Sequence, residues 1–562
     1  MRKAARKAGL GVGFAIALGT LGVSSSALAA GQDQTPEEKL SSVVETKEGP
    51  VQGFISNGVT KFLGIPYAEP PMGELRWLPP KDHARWTNVL PATKFAPICA
   101  LKTTLGVFSG PPNNNEDCLY LNVFAPEVRP SQPLPVIVFI HGGGNYDGET
   151  PGYDGSKMVT KGKAIVVTMA YRLNLMGFLS HPALNNEGHP FANYGLLDQI
   201  AAFKWVQRNV SLFGGDKDNV TLAGQSAGAI DVQFHMVSPF AKDLFHRAIC
   251  QSSCMAFPPL TTAAAAEAKG IAFAEAAGCG SGRGPEVAQC LRHLPAEKVM
   301  EFAGTPNSIS QYVSPYIVDG QIVPDTPLKL FKNGQFQRVP VMNGGTRDEW
   351  NFTLALPVYA SSTDNAKRTA PTAEQYHKYI NSTFAPPAYT EGTAAKVLDL
   401  YPLSAFKSPY AAWNRVASDA LRLCNLRSKN KIMAQYVPVY AYEFADATAP
   451  SYFPDMPGME DLGAYHTMDI QYIFPSWHGS PLGIVKALNE KQAKLSDQMV
   501  VSWGNFAKTG NPNGTGNSPW PVSNANASGW LIQDLPGVSS MTDAEYSKLH
   551  NCDFWDSVGP AP

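Results

Sequence analysis

A short apolar run, Val220-Thr221-Leu222-Ala223, leads straight into Gly224-Gln225-Ser226-Ala227-Gly228, and a helix-compatible segment, Ala229 to Val237, follows at once. Apolar and β-branched residues in a run this short suit a strand buried in a sheet. A strand that gives way to a helix within five residues, with glycines on both sides of a serine, fits few folds. The turn strains the serine backbone, and only small neighbours let strand and helix approach each other. Ser226 then projects from the carboxyl end of the strand, with the positive end of the next helix beneath it. G-x-S-x-G also arises by chance in glycine-rich chains, so its surroundings decide the reading.

Those surroundings agree. Leu134 to Ile140 and Ile165 to Tyr171 are continuous apolar runs, the pattern of strands buried on both faces. Asp117 to Phe124, Val339 to Asn343 and Val439 to Phe444 read as further strands, and Val51 to Ala68 as an N-terminal antiparallel hairpin. Leu196 to Val210 has helical apolar spacing and precedes the elbow strand. Strands alternating with helices predict a large, mostly parallel sheet covered by helices. Pro/Gly-rich, aromatic segments such as Ala256 to Thr262, Phe302 to Tyr316 and Thr448 to Gly463 are expected to build a cap or gorge wall.

The start of the chain reads as a leader. Arg2, Lys3, Arg6 and Lys7 precede an apolar stretch from Leu10 to Val23, and Ala27-Leu28-Ala29 is an A-x-A cleavage site. The apolar stretch is shorter than the roughly 20 residues that span a bilayer, and no later one is long enough. Residues 1–29 are therefore read as a signal peptide and 30–562 as one domain of a secreted or periplasmic protein. A net charge of −2 without a basic stripe gives no nucleic-acid surface. Eight cysteines in an exported chain suggest disulfides. None has zinc-finger spacing and there is no H-E-x-x-H, so neither metal nor cofactor is expected.

Acyl transfer needs a nucleophile, a base, a group that orients the base, and donors for the oxyanion. Directly after the run ending at Ile140 comes His141-Gly142-Gly143-Gly144. In G-x-S-x-G hydrolases such a loop supplies oxyanion donors beside the N–H that follows the nucleophile. Here those donors would be Gly143, Gly144 and Ala227. The base must follow the serine by a useful distance, which leaves His293, His377, His466, His478 and His550. Gly345-Thr346-Arg347-Asp348-Glu349-Trp350 offers two adjacent carboxylates for the acid.

Taken together, the chain resembles the type-B carboxylesterase/lipase family, the cholinesterase-like branch of the α/β hydrolases. The resemblance covers essentially the whole mature chain. It rests on Phe213-Gly214-Gly215 with Ser226-Ala227-Gly228, Glu116 to Asn122 (EDCLYLN), Phe62 to Ala68 (FLGIPYA), Tyr171-Arg172, Asn193 to Gln199 (NYGLLDQ) and Trp503 to Asn513 (WGNFAKTGNPN). It implies an α/β-hydrolase fold with gorge insertions and a serine carboxylesterase acting on a small-molecule ester. Gly463 to Ile470 is similar to the family's catalytic-histidine loop and selects His466, with His478 the runner-up. The family uses the second residue of the D-E pair, which selects Glu349 over Asp348, and Ser252 resembles a serine that hydrogen-bonds that acid. Arg76 with Glu116 and Arg172 with Asp198 match structural ion pairs. The family pattern pairs Cys99 with Cys118, Cys279 with Cys290 and Cys424 with Cys552, leaving Cys250 and Cys254 for a short-loop disulfide.

Three departures bear on the substrate pocket. Gln225 stands where many relatives carry Glu, Phe108 falls about where cholinesterases place a choline-stacking Trp, and Asn145 replaces a frequent aromatic residue. A neutral amide and a poorer cation–π platform favour neutral esters over choline esters. A lipase is the alternative reading, and would want an apolar flap near Leu101 to Pro112, a stretch that is only moderately apolar. A non-catalytic binding relative is the remote one, disfavoured by the intact set of site residues. The sequence gives no oligomeric state.

Overall fold

Val136, Val138 and Ile140 face one apolar core, while Ile137 and Phe139, alternating with them, face another. A strand with core on both sides belongs in the middle of a covered sheet. The computed structural model describes residues 39–102, 110–252, 260–305, 310–475, 486–515 and 517–558. Among these, the main sheet has twelve strands. They are β1 (Lys39–Leu40), β2 (Phe54–Ser56), β3 (Val59–Pro66), β4 (Tyr120–Pro126), β5 (Leu134–Ile140), β6 (Ile165–Met169), β7 (Gly215–Gln225), β8 (Arg247–Gln251), β9 (Val341–Thr346), β10 (Val439–Phe444), β11 (Gly529–Gln533) and β12 (Ser539–Thr542).

The spatial order is β1-β2-β3-β4-β6-β5-β7-β8-β9-β10-β11-β12. From β6 to β11 every neighbouring pair is parallel. The N-terminal strands and β12 pair antiparallel at the two edges. Helix α1 (Tyr194–Asn209) covers one face with Ile200, Phe203 and Trp205. Helix α2 (Ala227–Val237) leaves the end of β7 and is buried along its whole length. A third long helix, α5 (Glu490–Thr509), covers the other face with Met499, Trp503 and Phe506. Between α2 and α5 lie α3 (Trp350–Ala360), directly after the Asp348-Glu349 pair, and α4 (Pro409–Ser418).

The elbow strand is longer than the apolar run suggests because its pairing with β5 reaches back to Gly215 across a register shift, while β8 pairs with it only from Thr221 onward. The strand expected at Val339 begins at Val341, since Pro340 has no N–H to give a ladder. The strand expected from Asp117 begins at Tyr120, after the disulfide-bonded Cys118. The segment Thr448 to Gly463 carries no helix or strand and packs over the second core through Tyr452, Phe453, Met456 and Met459.

Among the described residues three disulfides are formed: Cys99–Cys118, Cys279–Cys290 and Cys424–Cys552. Cys254 lies outside the described residues, as does the pairing expected for it. No helix among the described residues is long and apolar enough to cross a membrane.

Candidate active site

Ser226 sits between the end of β7 and the first turn of α2 with φ 56° and ψ −122°, a strained setting for a residue with a side chain. Its N–H donates to the Gln251 carbonyl at 2.9 Å, which ties the turn to the end of β8. The two glycines of the pentapeptide are steric requirements. A Cβ on Gly224 would overlap the Gly228 carbonyl, and a Cβ on Gly228 would overlap the Ile140 carbonyl.

His466 and Glu349 come to this serine from loops past β10 and β9. His466 Nε2 lies 2.8 Å from Ser226 Oγ, and Nδ1 lies 2.6 Å from Glu349 Oε2. The other Glu349 oxygen accepts the Thr346 N–H at 3.0 Å, so the carboxylate is held at both ends. Burial alone would push the Glu349 carboxyl up. The His466 ring, with Arg422 and Ser252, outweighs burial and holds the carboxyl at about 2. Ser252 Oγ is buried and helps hold the acid low. The Phe352 ring meets the imidazole edge-on at 5.5 Å. Serine, imidazole and carboxylate are thus arranged so that the hydroxyl proton can pass to Nε2 while the resulting imidazolium is held by a carboxylate.

The glycine loop lies against the elbow. A Cβ on Gly142 would stand 2.9 Å from the Gln225 carbonyl and 3.0 Å from Ser226 Cβ. Gly143 and Gly144 adopt φ of 111° and 68°, which side chains resist, and at Gly143 a Cβ would overlap the Asp147 carbonyl. Among the described residues neither glycine N–H takes part in a backbone hydrogen bond. Together with the Ala227 N–H in the first turn of α2, they form a set of donors suited to a developing oxyanion.

Two of the three expected pocket residues, Gln225 and Asn145, lie among the described residues. Gln225 is buried, with Nε2 3.5 Å from His466 Nε2 and Oε1 against Gly142. Asn145 is fully buried, and its amide joins Tyr171, 3.0 Å from Oδ1, to Asp231 Oδ1, to which Nδ2 donates at 3.0 Å. That engagement ties its amide to the scaffold that carries the glycine loop. Phe108 lies outside the described residues, as do His478 and most of the flap considered for a lipase.

Sequence reasoning missed the polar network behind the glycine loop. The Tyr171 hydroxyl is 3.0 Å from both Asn145 Oδ1 and the His141 carbonyl. Its ring stacks on His141 at 4.5 Å. Asp231, on α2, also accepts from Gln199 Nε2 at 2.8 Å, and Gln199 Oε1 lies 2.6 Å from His235 Nε2. The glycine loop is therefore fastened to the helix that carries the serine. Only the substitution of Asn for the frequent aromatic residue could have signalled this. The ion pairs Arg76–Glu116 and Arg172–Asp198 are both enclosed and bidentate. A groove of about 730 Å³ lined by Met236, Phe245, His246 and Phe336 lies at the opposite end of α2 from Ser226. At ~1.5 Å per residue the helix separates the two by about 16 Å.

Known proteins resemble this chain in sequence and in fold. The chain is 34% identical over 498 residues to the para-nitrobenzyl esterase of Bacillus subtilis (strain 168), covering 88% of this chain and 94% of that one. It is 33% identical over 504 residues to the fumonisin B1 esterase of Sphingopyxis macrogoltabida, covering 87% and 85%. The solved structure of PNB esterase matches with a TM-score of 0.71 at 32% identity, covering 91% of this chain and 99% of that one, and the shared fold is that of the α/β hydrolases. The carboxylesterase family model matches residues 40–555. The chain belongs to the carboxylesterase family.

Proposed function

We propose that the protein hydrolyses small carboxylic esters through an acyl-enzyme on Ser226. The supporting observation is the unbroken hydrogen-bonded line from Ser226 through His466 to Glu349, at 2.8 and 2.6 Å, on an elbow flanked by glycine N–H donors. His466 takes the serine proton as Oγ attacks the ester carbonyl. The Gly143, Gly144 and Ala227 amides receive the oxyanion. His466 then gives the proton to the leaving alcohol, and water repeats the sequence to free the acid. Glu349 stays ionised and holds the imidazole in the required tautomer.

Neutral esters of short to medium acyl length, or bulky ones, are the proposed substrates. The side chain beside the nucleophile is the uncharged Gln225, which offers no anion to attract a cationic alcohol group. Relatives named for p-nitrobenzyl and fumonisin esters support a bulky range. Residues 1–29 are proposed as an export signal and the remainder as one catalytic domain, secreted or periplasmic. The three disulfides are in keeping with an oxidising compartment.

The test is turnover of a p-nitrophenyl ester series from acetate to palmitate, with a choline thioester beside it, by the mature protein and by Ser226→Ala. The proposal expects turnover of the shorter acyl esters, little with choline, and loss of nearly all activity in the variant. Activity confined to the longest chains would replace this reading with a lipase. Equal activity in both proteins would refute the nucleophile.

A further inference from the structure

Asp348 and Glu349 are adjacent in the chain, yet their carboxylates meet different partners. Glu349 holds the His466 ring, whereas Asp348 Oδ2 accepts the Ala464 N–H at 3.0 Å, two residues before that histidine. Asp348 Oδ1 accepts from Asn414 Nδ2 at 3.0 Å. The backbone repeats the link, because the Asp348 N–H donates to the Ala464 carbonyl at 2.9 Å and Asp348 pairs with Tyr465 as an isolated parallel bridge. Gly463 has φ 62°, and a Cβ there would overlap the Asp348 carboxylate.

A second line of bonds backs the first. Ser418 Oγ donates to Asn414 Oδ1 at 3.0 Å and accepts the Trp350 N–H, the next amide after Glu349, at 3.0 Å. Asn351 Nδ2 donates to the Leu462 carbonyl at 2.7 Å. The acid and the base lie 117 residues apart in sequence, and the base sits at the end of a segment without regular structure. Something other than a ladder must fix their register. A Glu–His contact as short as this one tolerates little slippage.

We propose that Asp348 is a positioning residue, a clamp that joins the acid loop to the His466 loop through Ala464 and to α4 through Asn414, and so keeps Nδ1 on Glu349 and Nε2 on Ser226. It touches neither substrate nor the reacting atoms. The proposal rests on the triad reading above and deepens it.

The experiment compares Asp348→Ala, Asp348→Asn and Asn414→Ala with wild type and Ser226→Ala. The readouts are kcat, KM, Tm and the far-downfield proton on His466 Nδ1, the signature of the bond to Glu349. Asp348→Ala is expected to lose about 10²-fold in kcat with KM little changed, and to lose the downfield signal. Asp348→Asn keeps a carbonyl oxygen for the Ala464 N–H and should recover part of both. If Asp348→Ala does not fold, Asn414→Ala carries the test, with a smaller fall in kcat and a weakened signal expected. Wild-type kcat and signal in the folded variants, with only Tm lowered, would overturn the clamp while leaving the triad intact. An active Ser226→Ala would overturn the triad reading, and the clamp with it.

Discussion

Gly224 and Gly228 flank Ser226 so closely that a Cβ on the first would overlap the carbonyl of the second. Gly228 is in turn packed on the Ile140 carbonyl at the end of β5, the strand that leads into the glycine loop. This contact sets the distance between the serine helix and the proposed oxyanion donors. Gly228→Ala must push α2 away from β5, at a cost of about 1–3 kcal/mol from overpacking. The displaced Ala227 N–H should lower kcat about 10²-fold or more on a p-nitrophenyl ester. Melting and steady-state kinetics check both effects, and wild-type kcat would show that the contact has slack.

Glu349 carries the second prediction. Glu349→Gln should reduce kcat by about 10⁴, the scale seen when a triad acid becomes its amide. The sign of its pH effect follows from the direction of the shift. Its carboxyl is held at about 2, below the ordinary value of about 4.3, so the ionised form stabilises the fold. That stabilisation is fully present above the ordinary value and is lost as pH falls from there towards about 2. The Tm difference between wild type and Glu349→Gln should therefore narrow through this window, as acid melts would show.

Asp147 gives an effect of opposite sign. It is buried in the loop after the glycines, and among the described residues neither carboxylate oxygen has a hydrogen-bond partner. Burial pushes its carboxyl up to about 8. The unfolded chain ionises near pH 4 while the fold holds the proton, so stability is lost as pH rises from about 4 to about 8. Asp147→Asn removes that loss. Its Tm gain should be larger at pH 8 than at pH 5, with a size of about a degree or two.

Cys424–Cys552 joins the α-helical segment before β10 to the C-terminal helix and closes a separation of 128 residues. Loop-closure entropy assigns such a bond about 5 kcal/mol. The double variant Cys424→Ser with Cys552→Ser should melt well below wild type yet keep its kcat at low temperature, because both cysteines belong to a separate apolar cluster with Tyr376, Phe384 and Trp555. Differential scanning calorimetry paired with an activity assay tests this.

The elbow, the glycine loop and the parallel sheet were legible because each depends on local constraints. Glycines at close approaches, β-branched runs and chain order all leave marks in sequence. The pairing of His466 with Glu349 was legible only through family resemblance, since no local pattern separates His466 from His550 or Glu349 from Asp348. In the structure His550 is a buried histidine held between Asp419 and Glu443, far from solvent and engaged on both ring nitrogens. The bonding of Asn145 was illegible for a similar reason. Its partner Asp231 lies 86 residues away, and only the fold brings the two together. Long-range polar contacts of this kind have no periodicity to read.

The most direct measurement is the site of covalent acylation. Mature protein mixed with p-nitrophenyl acetate, quenched during the first turnover and mapped by mass spectrometry, should carry one acetyl group on the peptide containing Ser226. The same peptide should stay unmodified in Ser226→Ala. Rapid turnover with no adduct on that peptide, or undiminished turnover by Ser226→Ala, would contradict the account.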